Sequence, residues 1–209
     1  MRNRISIPEG IYGITGDNFS NGKSNLECVR EMIKGGIKII QYRDKNKSIN
    51  EKLKEASEIK KLCKENNVLF IVNDHIDIAI LVDADGVHVG QDDLAPKHVR
   101  QLIGDDKIIG LSTHSPEQGM KANSNPYIDY IGVGPIYPTT TKDTAPVGLK
   151  YLDFVVKNLD IPFTAIGGIK SKNLKTITEH GAKRVCLVSE IVGANNISNK
   201  IKELYKILK

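Results

Sequence analysis

Short hydrophobic runs rich in β-branched residues alternate along this sequence with segments whose apolar positions recur at helical spacing. Stretches rich in Gly, Asp, Ser and Thr separate them, as is typical of turns. The runs predict eight strands, at residues 10–15, 37–41, 68–72, 86–89, 107–111, 130–133, 162–166 and 184–188. The amphipathic segments predict eight helices, near residues 24–34, 48–66, 75–81, 95–103, 115–123, 148–158, 171–180 and 195–208. Suitable N-caps stand at Ser24, Ser48 and Ser171.

A strand followed by a helix, repeated eight times, predicts an α/β protein with the (βα)8 TIM-barrel fold. The strand runs are hydrophobic almost throughout, which favours a closed parallel barrel over an open doubly wound sheet, because barrel strands are covered on both faces. The 209 residues lie at the short end for this fold. We therefore expect one domain over residues 1–209 with little decoration.

Composition excludes several classes of protein without changing the predicted fold. With 40% hydrophobic residues and dispersed Gly and Pro, the chain can bury a core and is not a disordered or fibrous sequence. No apolar run approaches the roughly 18 residues that a membrane span needs, and residues 1–10 lack a signal-peptide segment. We expect a cytoplasmic protein that binds no membrane.

The formal net charge of +5 raises the question of a nucleic-acid partner. Lysines alternate with glutamates at helical spacing in residues 51–61 and 200–206, which is typical of solvated helix faces. Because no basic stripe is interleaved with aromatic residues, we expect no nucleic-acid binding. The three cysteines form no CxxC pair, so the sequence indicates neither a disulfide framework nor a cysteine zinc site.

Active sites of such barrels lie at the carboxyl ends of the strands, so the polar residues after each run are the candidates. Gln41, Arg43 and Lys45 follow the second run at alternating positions, on one side of an extended chain. The Arg fork and the Lys point charge together suit a diphosphate, although a solvated turn is the alternative interpretation.

Carboxylates follow the next two runs. Asn73 and Asp74 come after the third run, and Asp92 and Asp93 after the fourth. Carboxylate and amide oxygens from neighbouring strand ends, with few thiols or imidazoles, suit Mg²⁺ better than zinc. The alternative is that each Asp only caps a helix.

Later strand ends predict a second anion site. The sixth run is followed by the long, hydroxyl-rich stretch 134–142. The seventh and eighth runs end in Gly167-Gly168 and Val188-Ser189, where backbone N–H groups and helix N-termini commonly bind phosphate. The residues thus indicate one cationic, metal-assisted site near strands two to four and one backbone site near strands seven and eight.

Eight short motifs stand in order from the end of the second predicted strand to the end of the eighth. They are QYRDK at 41–45, VND at 72–74, DGVHVGQDD at 85–93, GLS at 110–112, GVGPIYPTTTK at 132–142, PVGL at 146–149, AIGGI at 165–169 and VS at 188–189. Together they resemble the thiamine-phosphate synthase family. The resemblance implies a TIM-barrel transferase of thiamine biosynthesis, which joins hydroxymethylpyrimidine diphosphate to hydroxyethylthiazole phosphate and releases diphosphate.

The resemblance also implies a role for each matching residue, and Mg²⁺ as the cofactor. The catalytic cations on the leaving diphosphate are Arg43, Lys45 and Lys142. Gln41 holds the diphosphate together with Arg43 and Lys45, further contacts to the pyrimidine substrate come from Asn73 and Ser112, and the metal ligands are Asp74 and Asp93. The thiazole phosphate is held by Thr139, Thr141, Gly168, Val188 and Ser189. The sequence departs from the family at Asp92, where Glu is common, and at Asp143, where a second basic residue is common.

Two other functions stay open: a thiazole tautomerase-type isomerase and a non-catalytic barrel that binds a phosphate ligand. His114, at the mouth of the fifth strand, does not separate a tautomerase from a synthase. The diphosphate and metal residues favour the synthase, because a tautomerase does not need them. We expect small-molecule substrates as partners, and the pattern is compatible with a homo-oligomer without indicating a surface for one.

Overall fold

The computed structural model of this chain describes residues 4–140 and 144–208. The strands are β1 Gly10–Ile14, β2 Ile39–Tyr42, β3 Leu69–Asn73, β4 Gly86–Val89, β5 Ile108–Thr113, β6 Tyr130–Val133, β7 Phe163–Ile166 and β8 Arg184–Cys186. The helices are α1 Asn25–Gly35, α2 Ile49–Glu65, α3 Ile76–Leu81, α4 Pro96–Ile103, α5 Pro116–Ser124, α6 Gly148–Asn158, α7 Ser171–Glu179, α8 Val188–Val192 and α9 Ile197–Leu208. A 3₁₀ helix spans Asp17–Phe19.

The eight strands form a closed parallel barrel, in which β1 pairs with β2 on one side and with β8 on the other. Closure is visible in the register, where Ile11 lies opposite Val185 while Tyr12 lies opposite Ile39. The predicted (βα)8 TIM-barrel fold is therefore confirmed.

Helix starts follow the predicted caps in two of the three cases. Ser24 and Ser48 each accept a hydrogen bond from the backbone three residues on, and Glu27 and Glu51 complete the two capping boxes. The prediction for Ser171 is wrong, because α7 already begins at this residue. Its hydroxyl instead donates to Glu190 on the next helix.

The end of the eighth strand also differs from the prediction. β8 stops at Cys186, and Val188 and Ser189 begin the short helix α8. A short β-branched run does not distinguish a strand from a buried helical turn, and Ile191 and Val192 bury this turn against the core. The correction places Ser189 on the first turn of a helix that follows the barrel.

The core has two layers, as expected when side chains alternate between the two faces of each strand. The larger layer lies between strands and helices and includes the buried thiols of Cys28 and Cys63. The smaller cluster fills the barrel and contains Ile7, Tyr12, Ile14, Ile39, Ile71, Ile108, Tyr130 and Cys186. In the described part of the chain, no helix is long and apolar enough to span a membrane.

Candidate active site

A cavity of about 510 Å³ opens at the carboxyl ends of the strands. The loops that follow β2, β3 and β4 form one side of it, and residues of β5, β6 and β7 form the other. Among the predicted site residues it brings together Gln41, Arg43, Lys45, Asn73, Asp74, Asp93, Ser112 and Val188. The candidates from strands two to five thus meet in one place.

The end of β2 presents its cations to this cavity through a fixed backbone. Arg43 N–H donates to Thr15 Oγ1 over 2.8 Å, and the Thr15 hydroxyl donates back to the Arg43 carbonyl over 2.9 Å. Thr15 is fully buried, so it holds the ends of β1 and β2 together. This clamp limits the freedom of the strand end from which the guanidinium projects.

The loop carrying Lys45 is ordered by the residue that precedes it. Asp44 Oδ1 accepts hydrogen bonds from the backbone of Asn46 and Lys47 at 3.0 and 2.9 Å, and its other oxygen pairs with Lys47 Nζ at 3.1 Å. Although burial opposes ionisation, these hydrogen bonds lower the pKa of Asp44 overall. Lys45 itself is exposed and forms no ion pair with the residues that the structure describes. It remains available to an anion in the cavity.

The carboxylates of Asp74 and Asp93 lie within hydrogen-bonding reach of each other. Burial raises the pKa of Asp74, and the neighbouring negative charge of Asp93 raises it further, while Arg43 and Asn73 oppose the shift. Asp93 is positioned by the backbone N–H of Gly90, 2.6 Å from its Oδ2. Two carboxylates in contact repel each other, and a shared cation would relieve that repulsion.

The backbone at Asp74 is itself strained. Its φ is +59°, in the left-handed region that side-chain-bearing residues seldom adopt. Its N–H donates to the His88 carbonyl at 2.9 Å, and the following N–H closes a tight turn onto the Asn73 carbonyl at 2.7 Å. This turn bends the chain from β3 so that the carboxylate meets Asp93 beyond β4.

Polar side chains below the cavity form a continuous hydrogen-bonded row. Gln41 Nε2 donates to the Tyr12 hydroxyl over 3.1 Å, and the hydroxyls of Tyr12 and Tyr130 lie 2.7 Å apart. The Tyr130 hydroxyl lies 2.9 Å from His88 Nδ1, and His88 Nε2 lies 3.0 Å from Ser112 Oγ. The row connects the end of β2 with the end of β5 through the barrel interior.

His114 stands at the rim, two residues after Ser112. Its Nδ1 lies 2.5 Å from the Gly134 carbonyl and must donate to it, since a carbonyl oxygen only accepts. Its backbone N–H donates to the Gln118 side chain at 2.7 Å. The Gly134 carbonyl therefore holds the His114 ring at the cavity wall, and Gln118 holds its backbone.

The predicted second anion site corresponds to a much smaller recess, of about 10 Å³. Thr139, Gly168, Val188 and Ser189 line it, together with the ends of β7 and β8. This volume holds about one water molecule, so a phosphate would need the surrounding loops to open. Lys170 lies beside the recess, with its Nζ 2.8 Å from Ser189 Oγ and 3.6 Å from a Glu190 carboxylate oxygen.

Gly167 and Gly168 are required by a close approach of two loops. Both have positive φ, +98° and +63°. A Cβ at Gly168 would lie 2.5 Å from the Pro138 carbonyl oxygen, and one at Gly167 would lie 2.3 Å from Pro135 Cβ. Because only glycine fits here, the loop after β6 packs directly on the end of β7.

Thr141 and Lys142 lie outside the described residues, so the structure gives them no position. Sequence reasoning did not single out Thr15, Tyr12, Tyr130 or Lys170. Their signal was weak: a threonine ending a strand, tyrosines inside apolar runs and a lysine opening a helix are all common without a functional role.

A family model for thiamine monophosphate synthase matches residues 11–191. The chain belongs to this family. It is 54% identical over 200 residues to the thiamine-phosphate synthase of Pelotomaculum thermopropionicum, an alignment that covers 95% of this chain and 91% of the relative. It is 55% identical to the thiamine-phosphate synthase of Lawsonia intracellularis, with 95% and 92% covered.

Solved structures agree with the family assignment. The thiamine phosphate pyrophosphorylase of Pyrococcus furiosus superposes with a TM-score of 0.87 at 34% identity, over 95% of this chain and 94% of that one. A 3-hexulose-6-phosphate synthase superposes with a TM-score of 0.68 at 15% identity, over 96% of this chain and 99% of the other. That second likeness shows only the shared barrel.

Proposed function

We propose that this chain joins hydroxymethylpyrimidine diphosphate to hydroxyethylthiazole phosphate, giving thiamine phosphate and diphosphate. The observation that supports this most strongly is the meeting of Arg43, Lys45, Asn73 and the two carboxylates of Asp74 and Asp93 around one cavity. Cations and a carboxylate pair together match a metal-bound diphosphate, whereas a phosphate monoester alone would not need both.

The carboxylate pair suits Mg²⁺ in particular. The residues described contain no group of three His, Cys, Asp or Glu side chains that could hold a metal. Mg²⁺ commonly binds through one or two carboxylates and completes its shell with water and substrate phosphate oxygens. Asp74 and Asp93 would hold the ion, which when bound supplies positive charge for the leaving diphosphate.

The protein's main task in this reaction is to stabilise the departing diphosphate. The bond between the pyrimidine CH₂ and the diphosphate oxygen breaks with its electron pair on oxygen, and the electron-rich ring stabilises the remaining cation. Arg43 and Lys45 face the accumulating negative charge, and Lys142 would join them from the loop after β6. This is electrostatic stabilisation by groups positioned in advance.

The thiazole nitrogen then donates its lone pair to the cation and forms the new C–N bond. Its phosphate would bind at the recess formed by Thr139, Gly168, Val188 and Ser189, with Thr141 also contributing. Holding the phosphate would orient the thiazole ring for attack. Orientation of this kind lowers an activation free energy by up to roughly 7–11 kcal/mol in favourable cases. No protein nucleophile is required.

We further propose that residues 1–209 act as one barrel domain in the cytoplasm, on small molecules and without nucleic acid. The continuous closed barrel supports the single domain. The dispersal of lysines among glutamates in α2 and α9 supports the absence of a nucleic-acid surface. A homo-oligomer is compatible with this proposal.

Diphosphate release tests the function directly. With both substrates and Mg²⁺ we expect equal amounts of thiamine phosphate and diphosphate, and in chelator we expect neither. A tautomerase would act on its thiazole substrate in chelator, and a binding protein would bind phosphate ligands without turnover. Either result in place of diphosphate release would overturn the proposal.

A further inference from the structure

In the hydrogen-bonded row below the cavity, each group donates to the next in the order from Gln41 to Ser112. The Gln41 amide nitrogen donates to the Tyr12 hydroxyl over 3.1 Å, and the Tyr12 and Tyr130 hydroxyls lie 2.7 Å apart. An amide nitrogen only donates, so the Tyr12 hydroxyl accepts at this contact and its own proton is left for another partner. Among the described residues the Tyr130 oxygen, 2.7 Å away, is that partner, because a buried hydroxyl proton without an acceptor costs free energy.

The donor at each later contact of the row can then be assigned in turn. Burial raises the pKa of both phenols above the ordinary tyrosine value, so each keeps its proton. Tyr12 donates to Tyr130, which leaves the Tyr130 proton for His88 Nδ1. An imidazole that accepts at Nδ1 and is neutral carries its own proton on Nε2, and that proton points to Ser112 Oγ.

We propose that Tyr130 is a positioning residue that holds His88 as the Nε2–H tautomer, so that the Ser112 hydroxyl accepts from His88 and directs its own proton into the cavity. Ser112 lines the same cavity as Arg43, and within the described residues its hydroxyl has no partner besides His88. Its proton is therefore set to meet an anionic oxygen of the bound substrate. The identity of that anion as the diphosphate rests on the proposed function; the tautomer does not.

A donor fixed in advance needs no reorganisation when negative charge develops. Without the Tyr130 hydroxyl, the His88 ring can take the other tautomer, and Ser112 can then donate backwards to Nε2. We expect Tyr130→Phe to lower kcat/KM by about 10- to 100-fold, the range supplied by one hydrogen bond to a charged group.

The first experiment measures the tautomer without any substrate. In ¹⁵N-histidine-labelled protein, the His88 signals are assigned by their loss in His88→Gln. We expect a protonated Nε2 and an unprotonated Nδ1 in the wild type, and the same in Tyr12→Phe, where Tyr130 keeps its proton for the ring. A protonated Nδ1 in the wild type would overturn the proposal whether or not the chain is a synthase.

The second experiment is a double-mutant cycle on diphosphate release. If Tyr130 acts through Ser112, then Tyr130→Phe in the Ser112→Ala background costs less than about twofold beyond Ser112→Ala alone. Losses that multiply would show a merely structural role and refute the inference. Tyr151→Phe is the matched control, because Tyr151 is also buried and donates to Thr113 at 2.8 Å outside the barrel interior. If Tyr130→Phe does not fold, the His88 tautomer measured in the wild-type protein still tests the proposal.

Discussion

Asp93→Asn should stabilise the metal-free protein while it impairs catalysis. The amide keeps an oxygen for the Gly90 N–H, which lies 2.6 Å from the present carboxylate, and it keeps the side-chain volume. It removes the negative charge that faces Asp74. The substitution thus separates the charge of Asp93 from its shape.

The size of the gain follows from the contact between the two carboxylates. Two unit charges about 4 Å apart repel by about 1 kcal/mol in water and by more in a protein. Because Asp93 is exposed, the solvent-screened value of about 1 kcal/mol applies. For a chain of 209 residues, this corresponds to a rise in Tm of about 2–4 °C.

The gain should depend on pH in a definite direction. The pKa of Asp74 is higher in the native state than the ordinary value of 3.8. Above that value the native state holds more protons than the unfolded state, so the free energy of unfolding falls as the pH rises and Asp74 loses its proton. The difference between Asp93→Asn and the wild type should therefore be largest near neutral pH and fade towards pH 4.

Thermal unfolding in chelator and diphosphate release with Mg²⁺ test the two halves of this prediction. We expect the higher Tm together with a kcat lower by roughly 10²–10³-fold, the scale for loss of one preorganised electrostatic group. A lower Tm in chelator at neutral pH would show that the carboxylates do not repel in the native state. An unchanged kcat would remove Asp93 from the metal site.

Three further substitutions test separate parts of the molecule. Thr164→Val should raise stability by about 1 kcal/mol in urea unfolding, because the buried Thr164 hydroxyl has no partner among the described residues; a loss of stability would contradict this. Lys170→Met should raise the KM for the thiazole phosphate roughly tenfold and leave kcat unchanged, since a remote phosphate is bound equally in ground and transition states. A fall in kcat alone would argue against that role. Asp129→Ala should cost about 3–5 kcal/mol of unfolding free energy, because it leaves the buried Arg100, now 2.8 Å away, without its carboxylate. A cost below about 1 kcal/mol would refute the estimate.

The barrel could be predicted because its signals are local. Each strand run and each helical pattern is visible within a few residues, and the Ser24 and Ser48 caps mark their helices directly. The error at the eighth strand has the same origin. Val188 continues a β-branched run, but its helical conformation depends on how the next turn packs on the core, and no local pattern contains that information.

The sequence predicts where the site lies, but it does not predict which of its side chains are joined by hydrogen bonds. Polar residues after β2, β3 and β4 identify the edge of the barrel that they share, because parallel strands end on the same side. The row from Gln41 to Ser112 could not be found in this way. Tyr12 and Tyr130 are 118 positions apart, and each stands in an apolar run where a tyrosine also serves as simple core filling.

Carboxylates at the two ends of the barrel have opposite kinds of partner, and the difference is informative. At the cavity the carboxylates of Asp74 and Asp93 lie against each other, and this repulsion contributes to the raised pKa of Asp74. At the opposite end of the barrel the buried charge of Asp129 receives the backbone N–H groups of Ile5 and Ile109 as well as Arg100. Selection for stability alone would satisfy both ends equally. The imbalance therefore marks the cavity as the functional end independently of any motif, and a bound cation and diphosphate would compensate the repulsion that the fold retains there.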